Sequence, residues 1–385
     1  MAFAASMSEH PLATHAIGEV IGDVLEQLGE GPDLAVLFVT GAFAGATEDL
    51  ANAVRVLLKP KSLVGATAVS VLSGPREVEG RAAVVLFAAS WGGRLRTGRD
   101  GARAVRFDAE REGDGWRLTG TDDVATDGAT LILLADPFSF PVDGFLEEIT
   151  RRAPGLTVIG GLASAANGSG GNRLVADDVV ISQGAVGLYL PPGVPVRALV
   201  SQGCRPVGEP LVVTRSRDNL IEEIAGVPAL DRLLDTAERA SPEDRALMAR
   251  ALQLGIVLDE SQESFGPGDF LIRAVLGADR ENRAVAVTTD VSVGSTVQFQ
   301  VRDRDSADQD LRATLVDATG QAALVFTCTA RGVDLFGEPD HDASAVFEHV
   351  DGGATAGMFC AGEVGPVGGQ PFLHAFTTSI LLFEG

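Results

Sequence analysis

The chain has 385 residues, 45% of them hydrophobic, which is enough to bury a full core and long enough for two or three domains. Thirty basic residues against 53 acidic ones give a net charge of −23, which repels phosphate backbones and anionic lipid surfaces and makes nucleic acid and membranes poor partners. No uncharged apolar run approaches the roughly 20 residues of a bilayer span, and three cysteines, Cys204, Cys328 and Cys360, are an odd number for a disulfide framework.

Residues Met1 to Ser8 lack the basic and apolar regions of a secretory signal, so a retained N-terminus and a reducing cytoplasm are expected. No Cys-x-x-Cys or His-x-x-x-His pattern supports a structural zinc site. Leu12, Ala16, Ile17, Val20, Ile21, Val24, Leu25 and Leu28 recur at three- and four-residue spacing, which predicts an amphipathic helix packed on a sheet and ended by Gly29 to Pro32.

A pattern then occurs three times: an all-apolar strand, a helix, a strand with an apolar-Gly-x-x-small signature, a turn-rich stretch and a closing apolar strand. The first copy runs from Leu34–Thr40 through a helix to Leu58, then Val64-Gly65-Ala66-Thr67-Ala68, and closes on Ala83–Ala88. The second uses Leu131–Ala135, a helix over 143–152, Ile159-Gly160-Gly161-Leu162-Ala163 and Ala185–Leu190. Ala322–Cys328, a helix over 343–349, Ala356-Gly357-Met358-Phe359-Cys360 and Thr377–Phe383 make the third. Non-alternating strands are covered on both faces, and helices between strands make parallel crossovers. The expectation is an α/β chain, mixed α+β, of two sheet-containing domains with covering helices, built by duplication of one βαβ-plus-hairpin unit. The glycines mark a close approach by backbone or ligand, or close helix-on-strand packing.

Between the second and third copies, Ser241-Pro242-Glu243-Asp244 opens a helix with an N-cap serine, proline at the first helical position and acids in the first turn, and Gly255 is expected past its end. Phe270–Val275, Ala284–Thr288 and Thr296–Arg302 follow as strands, the last with Val and Phe inward and Gln outward. Glycine-rich stretches at Asn167–Gly171 and Gly365–Gly369 fit hairpin turns better than phosphate cradles, since neither matches a nucleotide-binding spacing.

Five spaced motifs carry a resemblance: Ser201-Gln-Gly-Cys-Arg-Pro206, Phe299-Gln-Val-Arg-Asp303, Cys328-Thr-Ala-Arg-Gly332, Leu335-Phe-Gly337, and Phe359-Cys-Ala-Gly-Glu-Val-Gly-Pro366 with Phe372-Leu-His374. Together they resemble the motif set of the FIST family, F-box and intracellular signal transduction proteins. The resemblance implies an N-terminal FIST domain over 1–205 and a C-terminal one over 206–385. It also implies a sensor of small ligands, amino acids being one proposal, which acts through a separate signalling protein because no output domain accompanies it.

On that reading the candidate ligand-binding residues are Arg331, Gly332, Cys360, Gly362 and Glu363 at strand ends of the third copy, with Cys204 and Arg205 joining if the domains close on each other. Arg331 would clamp a carboxylate and Glu363 an amino group; alternatively the two pair with each other and Cys360 is a small buried apolar residue. Three alternatives compete. A cysteine hydrolase would use Cys360 with His374, or Cys204, but lacks a glycine-rich nucleophile elbow. Some proteins similar to FIST are haem-based nitric oxide sensors, and His374 would be the first axial candidate, though the family's haem histidine maps onto no motif here. A ligand-free scaffold would show an exposed apolar patch. His341 and His349 are expected on or near a helix and exposed.

Overall fold

The computed structural model describes residues 1–385 other than 99, 100, 114, 263 and 267. The chain forms two compact units, one of residues 1–200 with 314–385, the other of residues 201–313. This division differs from the expected cut at 205/206: the barrel-forming stretch is an insertion, and the tail returns to the first unit.

In chain order the first unit opens with β1 (Ala2–Ser8) and α1 (Ala13–Leu28). The first copy is β2 (Leu34–Thr40), α2 (Thr47–Ala53) with a helical continuation to Leu58, β3 (Leu63–Ala68), the hairpin β4 (Ser70–Ser73) and β5 (Arg76–Glu79), and β6 (Val84–Ser90). A second hairpin, β7 (Arg103–Glu112) and β8 (Gly115–Thr119), precedes the next copy. That copy is β9 (Thr130–Ala135), α3 (Val142–Arg152), β10 (Thr157–Leu162), the hairpin β11 (Leu174–Ala176) and β12 (Val179–Ile181), and β13 (Ala185–Leu190), after which β14 (Val196–Ser201) leads out.

The second unit holds β15 (Cys204–Pro206), β16 (Leu211–Arg217), β17 (Leu220–Ile224), β18 (Val227–Pro228), α4 (Ala229–Arg239), α5 (Pro242–Ala251), β19 (Leu252–Val257), β20 (Phe270–Asp279), β21 (Ala284–Val287) and β22 (Thr296–Arg302). Its strands pair antiparallel in the order β22-β16-β17-β21-β20-β19, and β19 pairs back onto β22, closing a barrel. Val213, Ile221, Leu254, Val285, Val297 and Phe299 form its core. Closure removes the exposed strand edges that an open sheet would present. The N-cap reading of α5 holds, with Asp244 N donating to Ser241 Oγ at 3.0 Å. Gly255, expected as a helix stop, instead lies within β19, where a Cβ would come 3.0 Å from Phe270 and 3.1 Å from the Gln300 amide.

Helix α6 (Arg304–Leu315) leads to the third copy: β23 (Gly320–Cys328), the short α7 (Val333–Phe336), α8 (His341–Phe347), β24 (Val350–Cys360), the hairpin β25 (Glu363–Val367) and β26 (Gln370–His374), and β27 (Thr378–Phe383). The three copies pair identically: the first strand lies parallel to the Gly-bearing strand and antiparallel to the closing strand. Gly65, Gly160 and Gly357 face Leu37, Leu133 and Val325 in register. A Cβ at each would sit 2.4, 1.9 and 2.1 Å from that partner's carbonyl oxygen, so the close approach is made by the neighbouring strand rather than by a ligand or a helix.

Each copy's hairpin leaves its own sheet for another's. Strand β4 of the first copy pairs with β24, β11 of the second with β3, and β25 of the third with β10. The inner faces of the three sheets meet in one core that includes Phe38, Ile132, Ile159, Leu324, Phe326 and Met358. The outer face of the first sheet packs on α1 and α2 through Ile17, Val20, Leu37, Leu50 and Val54, and that of the second on α3 through Leu133, Phe145 and Ile149. This two-sided burial explains why the strands read as continuous apolar runs. Among the described residues, no helix is long and apolar enough to cross a membrane.

Candidate functional site

The strand ends of the third copy hold most of the residues singled out from the sequence. Past Cys328 the chain turns so that Arg331 points inward, fully buried. Its Nε and Nη2 donate to the two carboxylate oxygens of Asp342, the second residue of α8, at 2.7 and 2.9 Å, and the guanidinium stands 5.2 Å over the Phe336 ring. Asp342 also accepts from Thr327 and Thr378 hydroxyls at 2.5 and 3.0 Å. Burial pushes its carboxyl up, but the Arg331 charge and these hydrogen bonds outweigh that and hold it well below the usual carboxylate range. The carboxylate that Arg331 clamps is therefore the protein's own, supplied by Asp342 rather than by a ligand or by Glu363.

Glu363 is also fully buried. Its Oε2 accepts from Thr377 N at 3.1 Å and Thr377 Oγ1 at 2.9 Å, while Oε1 receives no N–H or O–H. Burial pushes its pKa up to about 8, against the Thr377 hydrogen bonds, the Cys328 thiol and the Arg331 charge. Gly332, with φ +67°, starts α7 where a Cβ would lie 2.6 Å from the Glu79 carboxylate, which itself accepts Val333 N at 3.0 Å.

Cys360 and Gly362 stand where the third copy's hairpin departs for the second copy's sheet. Leu162 N donates to Gly362 O at 2.8 Å, Ala361 N donates to Leu162 O at 3.1 Å, and a Cβ on Gly161 would meet Cys360 Sγ at 2.3 Å. The Cys360 thiol reaches Met358 O at 3.6 Å, and burial raises its pKa well above the ordinary thiol range. A buried, protonated thiol is a poor nucleophile, which weighs against Cys360 in the hydrolase alternative. His374 is 2% exposed with Nε2 against Gly365 O at 3.0 Å. His341 is packed rather than exposed, stacked on Phe336 with ring centroids 3.4 Å apart.

Cys204 and Arg205 belong to the other unit, on β15. Arg205 donates to Asp303 and Asp244 at 2.8 and 2.5 Å, so its charge is spent within the unit. Cys204, on the opposite side of the strand, lines a cavity of about 220 Å³.

That cavity lies on the outer face of the barrel wall formed by β15, β22, β19 and β20. Its apolar side is Phe265, Phe270 and Ile272, with the two phenylalanine rings edge-to-face at 5.9 Å. Its polar side is Gln202, Gln298, Gln300 and Asp310. The glutamines of β22 were expected to face solvent; they point outward from the barrel, but Gln298 and Gln300 are 8% and 3% exposed and line the cavity together with Phe265, Gly266 and Gly268. Gln298 Nε2 donates to Gly208 O at 2.8 Å. Gln202 is 8% exposed and its Oε1 has no hydrogen-bond partner among the described residues, a cost of about 1 to 3 kcal/mol for a buried acceptor. Asp310, on α6, accepts from Ser201 Oγ at 2.7 Å and Gly203 N at 3.0 Å. Sequence reasoning missed this site; the available signal was Gln-x-Gln on the outward face of a strand.

Residues 33–227 match the FIST N domain and residues 227–366 the FIST C domain. This chain belongs to the FIST family. The seam between the two FIST matches falls at residue 227, inside the barrel unit rather than at either of its ends. Full-length relatives include an uncharacterized protein of Mycobacterium bovis, 41% identical over 382 residues that cover 97% of this chain and 96% of the relative. Another, from Mycobacterium tuberculosis, is 39% identical over 390 residues spanning the whole of both chains. FIST domains are associated with signal-transduction sensing.

Proposed function

We propose that this FIST protein is a small-ligand sensor whose ligand enters the cavity of the 201–313 unit, with the signal read by a separate signalling protein. The observation that carries the reading is Gln202: a buried amide oxygen with no partner among the described residues, in the lining of a cavity that pairs an apolar wall with several amides. Buried acceptors are nearly always satisfied, and binding sites are where an incoming group completes the set. In the third-copy cluster, by comparison, the Arg331 guanidinium is already clamped on the Asp342 carboxylate. A small polar metabolite fits the volume, which equals about seven waters by their share of the liquid.

Thermal melting of the full chain against a metabolite panel, paired with native mass spectrometry, tests this. A true ligand at 100 times its dissociation constant adds about 2.7 kcal/mol to stability. The gain is expected to vanish in Ile272→Trp, which fills the cavity from its apolar side. A gain that survives Ile272→Trp would move the site elsewhere.

A further inference from the structure

We infer that the cavity selects a molecule with an N–H donor end, an amine or amidine, on a flat apolar body, and rejects carboxylates. This rests on the reading that the cavity is the ligand site. Asp310 brings a charge to the cavity that is answered only by neutral donors, Ser201 Oγ and Gly203 N; among the described residues no cation pairs with it, and no lysine, arginine or histidine lines the cavity. An ionised carboxylate accepts and never donates, and Gln202 Oε1 is a second acceptor awaiting a donor. A ligand amine or amidinium satisfies both, whereas a ligand carboxylate would meet a like charge in a partly dry site. The rings of Phe265 and Phe270 suit a flat body, and their faces attract a cation besides.

The test uses the full chain and three shape-matched probes, benzamidine, benzamide and benzoate, read by melting temperature and by titration calorimetry. Benzamidine is expected to bind at least tenfold tighter than benzoate, with benzamide between. Asp310→Asn, which keeps acceptors for Ser201 and Gly203, is expected to remove the preference for benzamidine over benzamide, and Gln202→Leu to weaken both. Benzoate binding as tightly as benzamidine, or a benzamidine affinity unchanged in Asp310→Asn, would overturn the inference while leaving the cavity as a ligand site. If no probe binds the wild type, the cavity reading falls and this inference with it.

Discussion

Gly160 adopts φ +147° with room for nothing beyond its α-carbon, because the Leu133 carbonyl lies where a Cβ would go. Gly160→Ala must both enter a disfavoured backbone region and displace a neighbouring strand, so a loss of about 4 kcal/mol or more is expected in urea unfolding. Gly18, exposed within α1 with nothing within 4 Å of a Cβ, is the control: Gly18→Ala is expected to gain about 0.5 to 1 kcal/mol. Equal effects at the two sites would refute the packing argument. Arg331 makes a parallel case. Arg331→Ala strands the Asp342 charge in a dry core, and the expected loss is about 3 to 5 kcal/mol, with much of it recovered in Arg331→Met with Asp342→Leu. A single mutant that melts like the wild type would show that the pair is not structural.

At the scale of elements, the β25–β26 hairpin carries a charge decision from the third copy into the second copy's sheet. Glu363, at its start, holds its proton in the fold up to about 8, whereas an ordinary glutamate releases it near 4.5. Between those values the folded chain binds a proton that the unfolded chain does not, so this contribution is full below 4.5 and is lost as pH rises to about 8. Glu77, on β5 of another swapped hairpin, has the same sign: burial and then the Asp342 charge raise it to about 7. Glu363→Gln, with no proton to lose, is expected to gain on the wild type as pH rises from 5 to 8, by up to about 1.4 kcal/mol per pH unit. Parallel stability curves for the two proteins would show that Glu363 ionises normally.

For the whole molecule, the exchange of hairpins makes the three copies interdependent. A break at 205/206 leaves β10 without β25 in one fragment and β24 without β4 in the other, exposing strand edges along buried sheets. Neither fragment is expected to unfold cooperatively, whereas a fragment of residues 201–313 keeps every strand of its closed barrel and is expected to do so. Circular dichroism through a urea titration distinguishes these outcomes, and a cooperative 206–385 fragment would count against the interdependence.

Local pattern alone determined the three copies. Strands such as Leu34–Thr40 and Leu131–Ala135 are apolar on both faces, and the signature glycines announce themselves because no other residue fits beside the paired carbonyl. The Ser241 cap was legible for the same reason, since its hydrogen bond spans three residues. Tertiary structure decided what depends on residues far apart in sequence. Arg331 could be seen to need a carboxylate, but that Asp342 rather than Glu363 supplies it follows from how α8 docks. The hairpins' choice of sheet is equally invisible locally, because an antiparallel hairpin pairs with any exposed edge in the same way. The cavity needed most: Gln202, Phe265, Gln298 and Asp310 come from four separate segments, and only the tertiary fold brings Phe265 and Asp310 beside two outward glutamines of β22 to line a site.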